Sequence, residues 1–279
     1  MWRLVSRRGI KTRSIALKKP SEEQTEEFIE ILRKNFSSTK LGRLKIRLLA
    51  NEVLRLLKPS LPYRVLSELT GIPESILCRY VGGNIIPSYE QALKILAKLV
   101  LSVDIDYLLR KLVEEERSNI IDLSRVLKDP YVIRLLTIII TLRLSGSNLT
   151  KIVATAESIM PLATMVGLEL NTPIILVKRK AYPGVQYYAG AVTRSPKDVE
   201  TLYIDKDLIN RKDSVLILAD VVYTGRTLRT VLSMIEKARA SIEKIIVVLA
   251  LGDLWRRTLK DYLSKLNTLT QIPYPLVTS

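Results

Sequence analysis

Histidine is absent from this chain of 279 residues, and cysteine occurs once, at Cys78. The first lack excludes every catalytic scheme that needs an imidazole, and the two together exclude Cys/His zinc sites and disulfides within the chain. Chemistry, if there is any, must rest on carboxylates, hydroxyls, amines and backbone amides. Long apolar runs are also missing. The longest candidate, "YVIRLLTIIITLRL", carries Arg134 and Arg143 and is too short to span a bilayer. The first twenty residues contain no acid, and they lack the continuous apolar stretch of a secretory signal. A cytoplasmic protein is expected. There is neither an internal repeat nor a low-complexity tract.

Positive charge is what the chain has in excess. Lys and Arg number 44 against 28 acids, a formal charge of +16 with a pI near 9.9. Such a balance favours a polyanionic partner, although proteins from hot environments can be charge-rich for other reasons. Arg3, Arg7, Arg8, Lys11, Arg13, Lys18 and Lys19 make residues 1–24 read as a flexible basic arm. At 47% hydrophobic content, the remainder should fold around one large core or two smaller ones.

Two periods divide the chain. From about Thr25 to Arg117 the pattern is helical. In "LGRLKIRLLANEVLRLLK", Leu41, Leu44, Leu48, Val53, Leu56 and Leu57 recur at three- and four-residue steps, and Ser88 with Gln91 forms a capping box. After residues 118–125 short β-branched runs alternate with helical segments. The runs are 151–155, 173–178, 214–220 and 243–251; helices are expected near 131–144, 158–170, 227–240 and 254–265. This alternation predicts an α/β half with a mostly parallel sheet. The expected domains are the arm at 1–24, a helical domain at 25–119 and an α/β domain at 120–279.

Within the helical half, "YRVLSELTGIPESILCRYVGGNIIPS" sets a short helix before Gly71 and a second one opening at Pro73. It resembles the helix-turn-helix of the Cro and phage-repressor type. That resemblance implies that Ser75, Cys78 and Arg79 face DNA base edges, with Arg64 and Asn84 near phosphates. An ordinary helical hairpin would use the same Gly and Pro punctuation.

In the second half, "SVLILADVVYTGRTLRT" (214–230) runs as a buried strand into Asp220, then through a hydroxyl-rich turn into a helix. Gly225 allows close backbone approach to an anion, Thr224 and Thr227 offer hydroxyls, and Arg226 adds a cation. The stretch resembles the phosphoribosyl-pyrophosphate motif of type I phosphoribosyltransferases. The resemblance implies a 5′-phosphate held by Tyr223, Thr224, Gly225, Arg226 and Thr227, and ribose hydroxyls held by Asp220. It also makes 154–163, with Ala156, Glu157 and Ser158, similar to the family's pyrophosphate loop. Lys178 and Arg179 occupy the family's basic position after the next strand. Residues 181–192 read as a hairpin covering the ligand.

Two departures stand out. The family has paired acids where this chain has Ala219 followed by Asp220, and Glu157 brings negative charge to the pyrophosphate loop. A like charge within a few ångströms costs on the order of a few kcal/mol in a partly desolvated cleft. These departures lead to the expectation of a homodimeric DNA-binding transcription regulator, similar to archaeal orotate-phosphoribosyltransferase-like regulators. It would sense phosphoribosyl pyrophosphate or a nucleotide without efficient turnover, and have no catalytic residue, no metal site and no required cofactor, though Mg²⁺ can accompany a bound phosphoribosyl pyrophosphate. The alternative expectation is an active purine or pyrimidine phosphoribosyltransferase with a helical dimerisation domain.

Overall fold

The computed structural model describes residues 16–115, 123–195 and 198–274, which divide into two units, Met1–Leu108 and Leu109–Ser279. The first unit holds five helices: α1 (Glu22–Phe36), α2 (Lys40–Leu57), α3 (Tyr63–Thr70), α4 (Glu74–Gly82) and α5 (Tyr89–Ser102). Helix α6 (Ile105–Glu115) runs across the division. Capping boxes at Ser21 with Gln24 and at Ser88 with Gln91 start α1 and α5. Such caps contribute about 1 kcal/mol each by satisfying amides that no helical carbonyl reaches. Helix α5 buries Ala92, Leu93, Ile95, Leu96, Ala97, Leu99 and Val100, and α1, α2 and α3 pack around it.

Three details differ from the sequence reading. Arg3, Arg7, Arg8, Lys11 and Arg13 of the expected arm lie outside the described residues. Its remainder is pinned: Leu17 bridges Val103, and the Lys18 amide donates to the Ser102 carbonyl at 2.7 Å. Helix α2 turns Ile46, Leu49, Val53, Leu54 and Leu57 inward, leaving Leu41, Leu44 and Leu48 as an exposed stripe. The apolar steps along α2 therefore belong to two faces, and periodicity alone does not say which one meets the core.

The second unit opens with α7 (Leu123–Val126) and α8 (Pro130–Arg143), the latter buried on most sides and packed on α9 (Met160–Leu170). The strands are β1 (Lys151–Ala154), β2 (Ile174–Leu176), β3 (Tyr187–Ser195), β4 (Asp198–Asp205), β5 (Ser214–Val222), β6 (Ser241–Leu251) and β7 (Leu266–Ile272). Five of them form a wholly parallel sheet in the order β2-β1-β5-β6-β7, and β3 pairs with β4 as an antiparallel hairpin. Helix α10 (Arg226–Lys237) follows β5, and α11 (Leu254–Thr258) follows β6. The helix expected over 254–265 stops early, giving way to a 3-10 turn at Lys260–Tyr262. Strands β4 and β7 escaped the sequence reading because they lack the β-branched apolar runs of the other strands, being interrupted by Glu200 and Thr201 and by Asn267, Thr268, Thr270 and Gln271. No helix among the described residues is long and apolar enough to cross a membrane.

The hairpin and α10 cover one face of the sheet together. Val192, Leu202 and Ile204 share a core with Ile217, Val231, Ile235 and Val247. Gly190 is where the hairpin backbone meets α10 directly, because a Cβ there would fall on the Thr230 methyl. Gly190→Ala should therefore destabilise the protein by about 1–3 kcal/mol through overpacking. Thr230→Ser, which removes the opposing methyl, should recover most of that loss. Urea unfolding midpoints of the single and double variants check both expectations.

Candidate functional site

Strand order decides where a ligand can sit. From β1 the chain moves outward through α9 to β2; from β5 it moves the opposite way through α10 to β6 and β7. The loops after β1 and β5 thus diverge, leaving a crevice at the carboxyl ends of two adjacent parallel strands. Register makes them neighbours: Ala154 pairs with Leu218, and the Thr155 amide donates to the Leu218 carbonyl at 3.0 Å. The crevice is a cavity of about 450 Å³, within the range of small-molecule sites.

On its β5 side the strand delivers Asp220, and the chain then turns through Tyr223, Thr224 and Gly225. Gly225 has φ of +78° and no side chain caps α10. The first amides of α10 consequently have no helical acceptor, and the Arg226 amide makes only a 3.5 Å contact with the Thr224 hydroxyl. Those amides, the two threonine hydroxyls and the positive end of α10 together form an anion cradle. The glycine is required twice over. Left-handed backbone disfavours any Cβ, and a Cβ here would press on Thr258 and Leu259 at 3.2 and 3.1 Å.

The β1 side supplies Thr155 and Ala156 to the lining. Ser158 donates a hydrogen bond of 2.5 Å to the Asp220 carboxylate, tying the two loops together. Glu157 is exposed and is not among the residues that line the cavity. Ala219 is buried in the core with Ile217 and Val247, and also reaches the cavity edge. Arg179 lines the cavity and is paired with Glu200 at 2.6 Å. Lys178 joins β2 to the hairpin by backbone bonds with Tyr203, and its ammonium lies over the Tyr182 and Tyr187 rings. Tyr223 is partly exposed and packs on Tyr274, with ring centroids 4.4 Å apart.

The hairpin expected over 181–192 is β3 paired with β4, and sequence reasoning missed which of its residues line the cavity. Val192 and Thr193 line the cavity, and the Arg226 guanidinium donates to the Thr193 carbonyl at 3.1 Å. The signal that could have found them is the two-residue spacing of Leu202 and Ile204 in 198–205, which identifies a returning strand. The residues expected to meet DNA are all exposed. Ser75, Cys78 and Arg79 share the outer face of α4, Asn84 follows Gly83, and Arg64 forms an i,i+4 ion pair with Glu68 at 3.1 Å.

No family model matches the chain. Among curated proteins it is 29% identical over 116 residues to a hypoxanthine/guanine phosphoribosyltransferase of Methanothermococcus okinawensis, covering 40% of this chain and 60% of that protein. It is 31% identical over 117 residues to a protein of the same name from Methanococcus voltae, covering 40% and 59%. It is 31% identical over 104 residues to an adenine phosphoribosyltransferase of Mycoplasmopsis synoviae, covering 37% and 58%. The chain thus spans about three fifths of the length of these relatives. A solved adenine phosphoribosyltransferase from Rhodothermus marinus is 23% identical with a TM-score of 0.47, covering 53% of this chain and 84% of that one. The α/β half has a type I phosphoribosyltransferase-like fold with a parallel sheet.

These relatives overturn the expected DNA-binding regulator, because the proteins that this chain resembles carry the names of purine phosphoribosyltransferases. Geometry supplies the physical reason that the sequence argument misled. The Glu157 side chain does not line the cavity, so the repulsion ascribed to it loses its basis, and Ala219 completes a core. The exposed bases of α3 and α4 gain no DNA-reading role from the charge of the chain. The cradle itself depends on Gly225: Gly225→Ala should lower stability by about 1–2 kcal/mol through left-handed strain. Denaturant melts of the purified variant measure that loss.

Proposed function

We propose that the chain is a purine phosphoribosyltransferase, transferring the 5-phosphoribosyl group of phosphoribosyl pyrophosphate to a purine base. The observation that carries this reading is the uncapped start of α10, set beyond Asp220 at the point where strand order reverses. The names of the curated relatives support the purine class. In the reaction a ring nitrogen of the base bonds to ribose C1, the C1–O bond breaks, and pyrophosphate leaves with the electron pair. The base N–H proton is released to solvent.

The residues of this chain divide that work. Amides from Arg226 onward and the hydroxyls of Thr224 and Thr227 would hold the 5′-phosphate, fixing the sugar at one end. Asp220 would accept from ribose hydroxyls, its negative charge facing the positive charge that develops on the sugar ring. Ala156, Ser158 and Arg179 would border the departing pyrophosphate. Mg²⁺ fits this donor set as an ion brought in on the substrate. It keeps most of its waters and takes phosphate oxygens, so a single carboxylate, Asp220, is enough. When bound it would offset charge on the leaving pyrophosphate. The helical unit is assigned to pairing two copies, a role supported by the exposed Leu41, Leu44 and Leu48 on α2.

Purified protein given phosphoribosyl pyrophosphate, Mg²⁺ and hypoxanthine, guanine, xanthine or adenine should release pyrophosphate with at least one base. Asp220→Asn should lower kcat/KM about a hundredfold, the scale of one lost electrostatic contact in a transition state. Thr224→Ala with Thr227→Ala should raise KM for the sugar about tenfold or more, since both removed bonds run to a charged group. Absence of turnover with all four bases would refute the assignment.

A further inference from the structure

A second hollow, also of about 450 Å³, lies between the end of α8, strands β6 and β7, and α11. It shares no lining residue with the cavity beyond β1 and β5. Three cations line it, Arg143, Lys244 and Arg256, and no carboxylate does. Arg256 is already oriented, since it pairs with Asp253 at 2.9 Å and stacks over the Trp255 ring. The side chains of Arg143 and Lys244 differ from it in making neither a hydrogen bond nor an ion pair among the described residues.

Unpaired cations are ordinary where water surrounds them. Here the walls are Ile139, Ile246 and the buried Trp255, which keep water from one side and weaken screening. Arg143 is exposed where it opens to the hollow, yet desolvation by its apolar neighbours lowers its pKa. An anion entering the hollow would meet both cations at once. Arginine presents a planar fork of donors suited to phosphate oxygens, and Asn267 and Thr268 add neutral donors at the rim.

We propose that this hollow is a separate binding site for a phosphate-bearing small molecule, gripped by Arg143 and Lys244 with Arg256 as the third cation. The proposal does not depend on the transferase reading, because it rests on other residues.

The chain has two tryptophans, Trp2 and Trp255, so Trp2→Phe leaves the hollow with its own fluorescent reporter. Inorganic phosphate should be titrated into that variant, and into the same variant carrying Thr224→Ala and Thr227→Ala. A saturating change in Trp255 emission, retained in the second protein, is expected. Adding Arg143→Gln and Lys244→Gln should weaken it about tenfold or more, on the scale of lost charge-assisted bonds. Potassium chloride of matched ionic strength should give no saturating change. If the protein carrying both added glutamines does not fold, Lys244→Gln alone serves, and should weaken binding at least about threefold. Binding that survives loss of Lys244 or Arg143 at full strength would overturn the proposal. So would binding that disappears with the two threonine substitutions alone, since the reporter would then be following the other cavity.

Discussion

The parallel pairing of β1 with β5 is the constraint on which the rest of the second unit depends. Neither loop that follows these strands is a site alone. The loop after β1 offers Thr155, Ala156 and Ser158; the loop after β5 offers Asp220 and the start of α10. The Ala154–Leu218 register brings the two to the same height, and the outward crossovers on either side keep the space between them open. A slip of one residue would reverse the facing of every side chain on one strand and send Asp220 toward the core.

What holds that pairing is apolar burial on both faces. Helices α8 and α9 cover one side, and α10 with the β3–β4 hairpin covers the other. Glycine appears where backbones must approach most closely: Gly190 lets the hairpin lie on α10, and Gly225 lets the turn pass Leu259. Helix α11 is short, yet it backs Gly225 through Thr258 and Leu259 while Trp255 and Arg256 line the other hollow. One small element therefore buttresses both cavities.

The cradle was legible because three signals coincide over residues 214–230. A β-branched run ends in an acid, hydroxyls and a glycine follow, and the period changes from two to 3.6. The order of parallel strands could be anticipated as a class but not in detail, since alternation of β and α does not state which strands are neighbours. Strands β4 and β7 were hidden because polar residues interrupt their short apolar content, and the exposure of Leu41 was hidden because α2 carries apolar residues on more than one face. Net charge misled most. Many individual bases are engaged locally, as in Arg33 with Glu90, Arg64 with Glu68, Arg134 with Glu169 and Arg179 with Glu200, and composition does not say whether the remaining bases gather on one face.

On the proposed transferase reading, the bond between Ser158 and Asp220 would bear on selectivity among sugars. An enzyme rejects an analogue lacking a hydroxyl most strongly when that absence strands a desolvated acceptor. Here the carboxylate already owns a donor from its neighbour, so an analogue without the hydroxyl returns it to a contented state instead of an orphaned one. Discrimination between ribose and 2-deoxyribose in such a pocket would be shallow, and it would deepen if the serine were replaced by alanine.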